Sequence, residues 1–417
     1  MKQSNLFFAH SGGPTPVVNT IASGVIQEAQ KNPLINRIFI GRNGILGAIK
    51  NELYDVTDLS DEQLKQLSHT PASAFGSCRY KLKHWQDNDG DYQSIIQTFD
   101  QHNISYFLYN GGNDSQDTTL QISNYASHLG YSLKCIGIPK TIDNDLPLTD
   151  CCPGYASAAK YLATSILEAS LDTTSMKETS TKVFILETMG RNAGWLAAAT
   201  GIAQHHNPHL GPHIILLPER TFNLENFLSN VDNCIKKNGF CIIAASEGIK
   251  EPSGKLYAQS DLKDTFGHPQ LGGVAPKLAS AVQNNLKVKV HWAVADYLQR
   301  SAAHLTSKTD YDHACQLAIS AVNHITLGEH GSMMAIERLK TSPYQWGINP
   351  VPLSLVANQE KLLPNIFIRE DGLHITSDFI QYLIPLIEGE VYPNYHQGIP
   401  SYFNSNNIHL VKNSYVK

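Results

Sequence analysis

The sequence predicts an α/β protein with two Rossmann-like three-layer αβα domains, each built on a mainly parallel sheet. Three observations lead to this prediction. Short apolar runs end at or near Gly, Pro, Asn or Asp, stretches with helical spacing separate many of them, and the pattern starts again near Lys182. A chain of 417 residues, 42% of them apolar, can bury two cores. We therefore expect the active site in a cleft between two domains.

Seven short apolar runs are predicted to be strands, namely residues 6–9, 37–40, 104–109, 133–138, 182–186, 213–217 and 240–245. Five stretches have the spacing of amphipathic helices, namely residues 17–30, 116–129, 156–171, 193–203 and 225–236. Because strands and helices alternate, neighbouring strands should run parallel. Ligands should then bind beyond the carboxyl ends of the strands.

The domain division follows from where the pattern restarts. We expect a first α/β domain over residues 1–150, completed by parts of about 297–345, and a second over residues 151–296. Residues 346–417 contain several prolines and a polar end, and we expect them to form an extension packed on the core.

The composition argues against nucleic-acid binding and against a membrane location. A net charge of -5 and a pI near 6.4 provide no global basic field, so no nucleic-acid partner is expected. The seven cysteines form no CxxC pair, which suits buried thiols in a reducing compartment. The amino terminus does not resemble a signal peptide, and no run of about 18 apolar residues occurs. We expect a cytoplasmic protein without membrane contact.

Two glycine-rich loops follow predicted strands and lead into helices. The first contains Gly12 and Gly13, and the second runs from Gly111 to Ser115. Glycine lets an anion approach the backbone, and the N-H groups at a helix amino terminus attract it. The alternative is that the glycines only form tight turns and that Asp114 or Ser115 caps a helix.

The loop from Pro139 to Asp145 is the most informative, because it places a cation, a hydroxyl and two carboxylates after one strand. Phosphoryl transfer to an alcohol needs a proton acceptor, a cation and positioning groups. Asp143, Lys140 and Thr141 suit these three tasks. The alternative is that the two aspartates form solvent-facing Asx turns.

Further polar groups follow strands of the second half. Arg191 could grip a sugar or a phosphate with its guanidinium, and Glu247 could accept hydrogen bonds from sugar hydroxyls. Tyr297 and Arg300, three residues apart, could hold a remote phosphate. Taken singly, each is more typical of an ordinary surface or cap residue.

Two other patterns favour structural interpretations. Histidines 205, 206, 209 and 213 surround two prolines in an apparent loop, which favours a non-metal role. Cys151 and Cys152 are adjacent and precede Pro153, which favours unreactive packing over a disulfide.

Taken in order, the strings GGPTP, FGSCR, GGNDS, PKTIDND, ETMGR, SEG and YxxR resemble the phosphofructokinase family from Asn5 to Asn323. The resemblance implies phosphorylation of the 1-hydroxyl of fructose 6-phosphate. It makes the first domain the phosphoryl-donor domain and the second the sugar-phosphate domain. A dinucleotide-dependent dehydrogenase is disfavoured, because the first loop lacks GxGxxG.

The resemblance also implies residue roles. The expected catalytic group is Asp143 as base with Lys140 and Arg79, and the expected donor site is Gly12, Gly13, Asp114 and Ser115. The expected sugar-phosphate site is Thr141, Ile142, Asp143, Lys182, Met189, Gly190, Arg191, Glu247, Tyr297, Leu298, Gln299 and Arg300. Mg²⁺ is the expected cofactor, with Asn113 as its ligand, and Lys182 is expected to reach a neighbouring subunit of a homodimer or homotetramer with shared active sites.

Two positions favour pyrophosphate over ATP as the donor. Family members that use ATP usually carry glycine where this chain has Asp114, and commonly where it has Lys140. A carboxylate 4 Å from an α-phosphate would repel it by about 1 kcal/mol in water and about 4 kcal/mol at an effective dielectric constant of 20. Pyrophosphate has no third phosphate to repel. An ATP-dependent enzyme remains one alternative, and a non-catalytic regulatory subunit that binds sugar phosphate remains another.

Overall fold

The computed structural model describes residues 3–263 and 269–412 and confirms the predicted α/β class. Its strands are β1 (Ser4–His10), β2 (Ile35–Gly41), β3 (Glu52–Asp55), β4 (Ile104–Gly111), β5 (Lys134–Pro139), β6 (Val183–Thr188), β7 (Ile214–Leu216), β8 (Cys241–Ser246), β9 (Gln259–Lys263), β10 (Pro269–Leu271), β11 (Val290–Val294), β12 (Thr306–Ser307), β13 (Ser332–Lys340), β14 (Gln345–Pro352), β15 (Glu390–Val391), β16 (Tyr395–His396), β17 (Ile399–Pro400) and β18 (Leu410–Lys412).

The α-helices are α1 (Val18–Lys31), α2 (Ile45–Lys50), α3 (Asp61–Ser68), α4 (Gly90–Gln101), α5 (Asn113–His128), α6 (Tyr155–Met176), α7 (Trp195–Ala199), α8 (Leu224–Asn238), α9 (Val274–Leu286), α10 (Lys308–Thr326) and α11 (Ser377–Ile387). Short 3-10 helices cover Thr200–Gln204, Asp296–Arg300, Ala303–Leu305, Leu353–Leu355, Asn365–Phe367 and Ser405–Asn407. No helix of the described ranges is long and apolar enough to cross a membrane.

Two sheets organise the chain. The larger has the order β14-β13-β5-β4-β1-β2-β3-β18, with parallel pairing from β13 to β2 and antiparallel pairing at both edges. The smaller has the order β11-β6-β8-β7 and is wholly parallel. The prediction of two mainly parallel sheets is confirmed.

Both faces of each sheet are covered, which gives each the three layers predicted. In β1, Phe7 faces α4 and packs on Phe99 with ring centroids 5.1 Å apart, while Leu6 and Phe8 face α1 and α10. Alternate side chains of a strand point to opposite faces, so β1 is apolar throughout because both faces are buried. Each such side chain stabilises the fold by about 1.5 to 3 kcal/mol. The smaller sheet lies between α6, α7 and α11 on one face and α8 and α9 on the other.

Helix α8 connects β7 to β8 and has well-defined ends. The side chain of Asn223 accepts a hydrogen bond from the backbone N-H of Asn226 and caps its amino terminus. Gly239 ends it in the left-handed conformation, with φ of 82°. Glycine adopts this conformation without the steric penalty of a β-carbon. The turn directs the chain into β8.

A buried carboxylate joins α10 to the start of α6. Asp310 accepts hydrogen bonds from the backbone N-H groups of Gly154 and Ser157 at 2.9 and 3.0 Å and from the Ser157 hydroxyl. Burial raises the pKa of Asp310 to about 6. The first N-H groups of a helix have no partner within the helix. Here Asp310, about 150 residues further along the chain, accepts their hydrogen bonds.

The carboxyl-terminal residues are more regular than the sequence suggested. Strand β14 extends the larger sheet beyond β13, and β18 closes its opposite edge against β3. Helix α11 packs its buried Phe379 and Leu383 on the core of the smaller sheet. The expected extension after residue 346 therefore adds edge strands to the larger sheet and a helix to the core of the smaller one. The domain boundaries stay a prediction.

Candidate active site

The loops with the conspicuous motifs converge because their strands are neighbours. Strands β1, β4 and β5 lie side by side and parallel, so the segments after His10, Gly111 and Pro139 leave the same edge of the larger sheet. In the smaller sheet, Thr188 pairs with Ser246, so the segments after β6 and β8 also start together. The sequence contains the motifs, and the topology assembles them.

The first glycine loop is held by the FGSCR segment. The backbone N-H of Gly12 donates to the Cys78 carbonyl at 2.9 Å, and the Ser77 hydroxyl donates to the Gly12 carbonyl at 2.7 Å. Gly12 has a φ of 74°, a left-handed conformation that favours glycine. The loop is therefore a fixed turn.

Lys140 is buried beneath this loop. Its ammonium donates to the carbonyls of Ser11 and Gly13 at 2.6 and 2.7 Å, and the residue is only 2% exposed. Burial lowers the pKa of Lys140 to about 7; Asp143 opposes the shift, and Arg300 and Arg79 add to it. An ammonium has three donors, so one remains for a ligand.

Two arginines flank Gly13. A β-carbon at Gly13 would lie 2.8 Å from Nη1 of Arg300 and 4.0 Å from Nη2 of Arg79. The Arg300 guanidinium also lies 4.0 Å from the ring centroid of Tyr297. With Lys140, three cationic side chains therefore surround the loop. Such an arrangement suits a polyanion.

Asp143 is half-buried and braced by its neighbour. Its backbone N-H donates to the Thr141 hydroxyl oxygen at 3.1 Å, and the same hydroxyl lies 3.4 Å from the carboxylate. Burial raises the pKa of Asp143, while Thr141, Lys140 and Arg79 oppose the shift and Glu360 adds to it. A carboxylate that has a raised pKa and lies near cations is suited to accept a proton.

Two more carboxylates complete this region. Burial raises the pKa of Asp145 to about 7, with further contributions from Asp143 and Glu360. Glu360 is exposed and accepts a hydrogen bond from the Asn192 amide at 2.9 Å. The sequence analysis missed Glu360, because nothing near residue 360 resembles a motif.

Asn113 holds the segment that carries Glu360. Its side-chain oxygen accepts a hydrogen bond from the backbone N-H of Asn358 at 2.6 Å, and its amide donates to the Gln359 carbonyl. The side chain thus bridges two backbone groups, and the expected role of Asn113 as a Mg²⁺ ligand stays a prediction. Its oxygen is directed to the carboxyl-terminal segment.

The second glycine loop begins α5 directly. Gly112 is its amino-terminal cap residue, so the alternative that Asp114 or Ser115 caps this helix is wrong. The Asp114 side chain is 53% exposed and pairs with Lys81 at 3.0 Å. Ser115 is buried, and its hydroxyl would lie 2.0 Å from a β-carbon at Gly111, so glycine is required there. Lys81 lies two residues beyond Arg79 and was not predicted.

The loops of the smaller sheet form the facing set. The backbone N-H of Gly190 donates to the Glu247 carboxylate at 3.2 Å, and that of Met189 donates to the Gln299 side chain at 3.2 Å. Burial raises the pKa of Glu247 to about 7; Asp143 adds to the shift, and Arg191 opposes it. Because the charge of Asp143 influences the pKa of Glu247, the two sets of loops face one region.

Several predicted residues have other surroundings. The Ile142 side chain belongs to the apolar core, so only its backbone is available to a ligand. Tyr297 and Leu298 are 63% and 62% exposed, and Gln299 is buried. Lys182 precedes β6, at the opposite end of that strand from Met189, and donates to the Lys177 carbonyl. The described chain therefore does not bring Lys182 to its own cleft.

The four histidines noted in the sequence do not lie together, and the two adjacent cysteines are buried. His205, His206 and His209 are exposed, whereas His213 lies with Cys234 and Cys241. Cys151 and Cys152 are buried free thiols, as the sequence favoured.

Comparison with known proteins decides the family. A family model described as Phosphofructokinase matches residues 5–325. The chain belongs to the phosphofructokinase family. The resemblance drawn from the motifs covered nearly the same residues and is confirmed.

Several similar relatives are named pyrophosphate–fructose 6-phosphate 1-phosphotransferase. The one from Halomonas elongata is 49% identical over 96% of this chain and 96% of its own length, and the one from Methylococcus capsulatus is 48% identical over 99% and 98%. A crystal structure of a pyrophosphate-dependent phosphofructokinase from Nitrosospira multiformis has 47% identity and a TM-score of 0.90, and covers 99% of this phosphofructokinase and 100% of that chain.

Proposed function

We propose that the chain transfers a phosphoryl group reversibly from pyrophosphate to the 1-hydroxyl of fructose 6-phosphate, forming fructose 1,6-bisphosphate and phosphate. One observation carries the assignment of roles. The charges of Lys140 and Arg79, in the first set of loops, lower the pKa of Asp143, and the charge of Asp143 raises the pKa of Glu247 in the facing set. A base in this position can take the hydroxyl proton of a sugar while cations hold the phosphoryl donor.

The donor loop supports pyrophosphate. Lys140 and Arg300 border the glycine loop closely, and their charges suit the compact, highly charged pyrophosphate. The Asp114 carboxylate lies at the start of α5, where it would repel a further phosphate. Lys81 offsets part of that repulsion. The relatives with about half of their residues in common with this chain carry pyrophosphate in their names.

Mg²⁺ is proposed to accompany pyrophosphate. The half-buried Asp145 carboxylate, whose pKa is raised to about 7, and the neighbouring Asp143 offer the oxygen ligands that this ion prefers. Asp145 and the oxygens of pyrophosphate would hold the ion, and Asn113 would act by fixing residues 358–360 beside them. When bound, Mg²⁺ supplies positive charge to the phosphoryl oxygens.

We also propose that the enzyme acts in the cytoplasm as a homodimer or homotetramer with shared active sites. Lys182 supports the second part, because the full length of β6 separates it from the loops of its own chain. A strand of six residues spans about 20 Å. A lysine at that end can contribute to a sugar-phosphate site only on another copy.

The reverse reaction tests the proposal. With Mg²⁺, fructose 1,6-bisphosphate and inorganic phosphate should yield fructose 6-phosphate and pyrophosphate, measured by a coupled assay for fructose 6-phosphate. ADP in place of phosphate should give no product beyond the background without acceptor. Product formation only with ADP would contradict the proposed donor, and no product with either acceptor would contradict the reaction.

Glu360→Gln should shift the acid limb of the pH profile. The negative charge of Glu360 raises the pKa of Asp143, so removing that charge should lower this pKa. A base works only when deprotonated, so turnover in Glu360→Gln should persist to lower pH than in the unchanged enzyme. The measurement is kcat between about pH 5 and 8.

Glu370→Gln is the matched control, because Glu370 is also an exposed glutamate of the carboxyl-terminal region. Its acid limb should coincide with that of the unchanged enzyme. An acid limb for Glu360→Gln that stays in place or moves to higher pH would contradict the effect of Glu360 on Asp143.

A further inference from the structure

Three sulfur and nitrogen side chains meet at the amino end of the smaller sheet. His213 directly precedes β7, Cys234 lies in the last turns of α8, and Cys241 is the first residue of β8. A ring nitrogen of His213 and the two sulfur atoms all lie within 4.8 Å of one another. Neither the family motifs nor the proposed reaction uses this cluster.

The hydrogen bonds of His213 determine where its proton lies. Its Nδ1 accepts a hydrogen bond from the backbone N-H of Ile242 at 3.0 Å, so the neutral ring carries its proton on Nε2. The Nε2 atom is buried and has no hydrogen-bond partner among residues 3–263 and 269–412. A metal ion would need a free lone pair on one ring nitrogen. The lone pair of Nδ1 accepts the hydrogen bond, and Nε2 carries the proton. The ring is better suited to stabilise a neighbouring anion than to bind a cation.

The sulfur of Cys234 has an environment that favours the thiolate. The amide of Asn238 donates to it at 3.4 Å and stabilises the thiolate, whereas the hydrogen bond from the thiol to the Phe240 carbonyl at 3.5 Å favours the protonated form. Hydrogen bonding from Cys241, followed by the influence of His213, lowers the pKa of the Cys234 thiol although burial opposes the shift. The buried Cys241 has a raised pKa.

Two other half-buried thiols provide a comparison within the same chain. Cys78 and Cys315 are half-buried like Cys234, and the remaining free cysteines of the described residues are buried. Burial raises the pKa of both Cys78 and Cys315. Thiolates, not thiols, attack peroxides and alkylating reagents, so exposure alone does not make these two reactive.

We infer that Cys234 is a peroxide-reactive thiol and that Cys241 resolves it to an intramolecular disulfide. The Cys234 thiolate attacks one oxygen of hydrogen peroxide, the O-O bond breaks, and the departing hydroxide takes a proton to leave as water. The Cys241 sulfur then attacks the resulting sulfenic acid, the S-O bond breaks, and a second water leaves. Two thiols and one peroxide thus give one disulfide and two waters.

The fold allows this bond to form locally. The sulfur atoms must approach from within 4.8 Å to about 2.05 Å, the length of a disulfide. Cys234 lies near the end of a helix that finishes at Gly239, so rotation of its side chain and a small shift of this last turn can supply the movement. Glu247 lies beyond the opposite end of β8, so the cluster is separate from the catalytic loops.

The test treats the reduced full-length enzyme with hydrogen peroxide and maps its cysteines by mass spectrometry without reduction. We expect a peptide pair joined through Cys234 and Cys241, lost again on treatment with dithiothreitol. Cys241→Ser should accumulate a sulfenic acid at Cys234 that is trapped by dimedone. Cys234→Ser should form neither product, and Cys315→Ser should behave as the unchanged enzyme.

Alkylation provides a second readout that does not depend on disulfide geometry. At pH 6, iodoacetamide should modify Cys234 at least about 10-fold faster than Cys315, because the pKa of Cys234 is lowered and that of Cys315 is raised. Oxidation or alkylation of Cys78 or Cys315 ahead of Cys234 would overturn the inference. Zinc present at one equivalent in the purified enzyme and lost in Cys234→Ser would also overturn it, by showing a metal site.

Discussion

Asp143→Ser is expected to lower kcat by about 10²- to 10⁴-fold, the usual range for loss of a general base. The reason is the position of the carboxylate between the cationic donor loops and Glu247 of the facing loops. Serine cannot accept the proton of the attacking hydroxyl at neutral pH. The KM for fructose 6-phosphate should change by less than about threefold, because the other expected sugar contacts remain. Initial rates at saturating pyrophosphate measure both constants.

Asp117→Ser provides the matched control, since Asp117 lies on α5 outside the loops of the site. It should retain the kcat of the unchanged enzyme. A circular-dichroism melting curve should show that Asp143→Ser is folded. If folded Asp143→Ser kept its turnover within threefold, Asp143 would not be the base.

Lys140→Met is expected to lower kcat with pyrophosphate by about 10²- to 10³-fold, comparable to the loss of one preorganised electrostatic donor. Methionine keeps much of the length of the side chain but removes its charge and its hydrogen bonds to Ser11 and Gly13. The cation that faces the transferring phosphoryl group and the brace of the glycine loop are then both lost. Rates with saturating fructose 6-phosphate and varied pyrophosphate measure the effect.

The pH dependence separates these two roles of Lys140. The folded-state pKa of Lys140 is lowered to about 7, so the free enzyme loses this charge as the pH rises through that value. The KM for pyrophosphate should therefore increase above about pH 7 in the unchanged enzyme and should lose this dependence in Lys140→Met. An identical pH dependence in both proteins, or turnover of folded Lys140→Met within threefold of normal, would contradict an electrostatic role.

Much of the central fold was predictable, because its strands are apolar on both faces. Strand β1 contains the predicted run 6–9, and β8 contains the run 240–245 except for its first residue. The predicted helix boundaries agree less well with the structure than the predicted strands do. Helix α5 begins at Asn113 and not at residue 116, because the cap is a glycine that forms no side-chain hydrogen bond. The predicted helix 193–203 is divided into α7 and a 3-10 helix.

The donor loops were predictable, and the carboxyl-terminal contribution to the site was not. Gly12, Lys140 and Asp143 each follow a strand within a few residues, so local pattern and sheet topology suffice to bring them together. Glu360 reaches the same region because the two residues before it, Asn358 and Gln359, are hydrogen-bonded to Asn113, about 245 positions away in sequence. Such a contact leaves no periodic signal near either residue. Strand β18 was missed for a related reason, since a three-residue edge strand has no recognisable pattern.

The most direct test of the account compares phosphoryl donors in the forward reaction. Fructose 1,6-bisphosphate formation is measured with the unchanged enzyme, fructose 6-phosphate and Mg²⁺, with pyrophosphate and ATP supplied in separate reactions freed of contaminating pyrophosphate. The account predicts activity with pyrophosphate and a kcat/KM for ATP lower by at least about 5-fold, the factor that corresponds to the lower end of the repulsion expected from Asp114. A higher kcat/KM for ATP than for pyrophosphate would contradict the donor assignment, and no activity with either donor would contradict the proposed reaction.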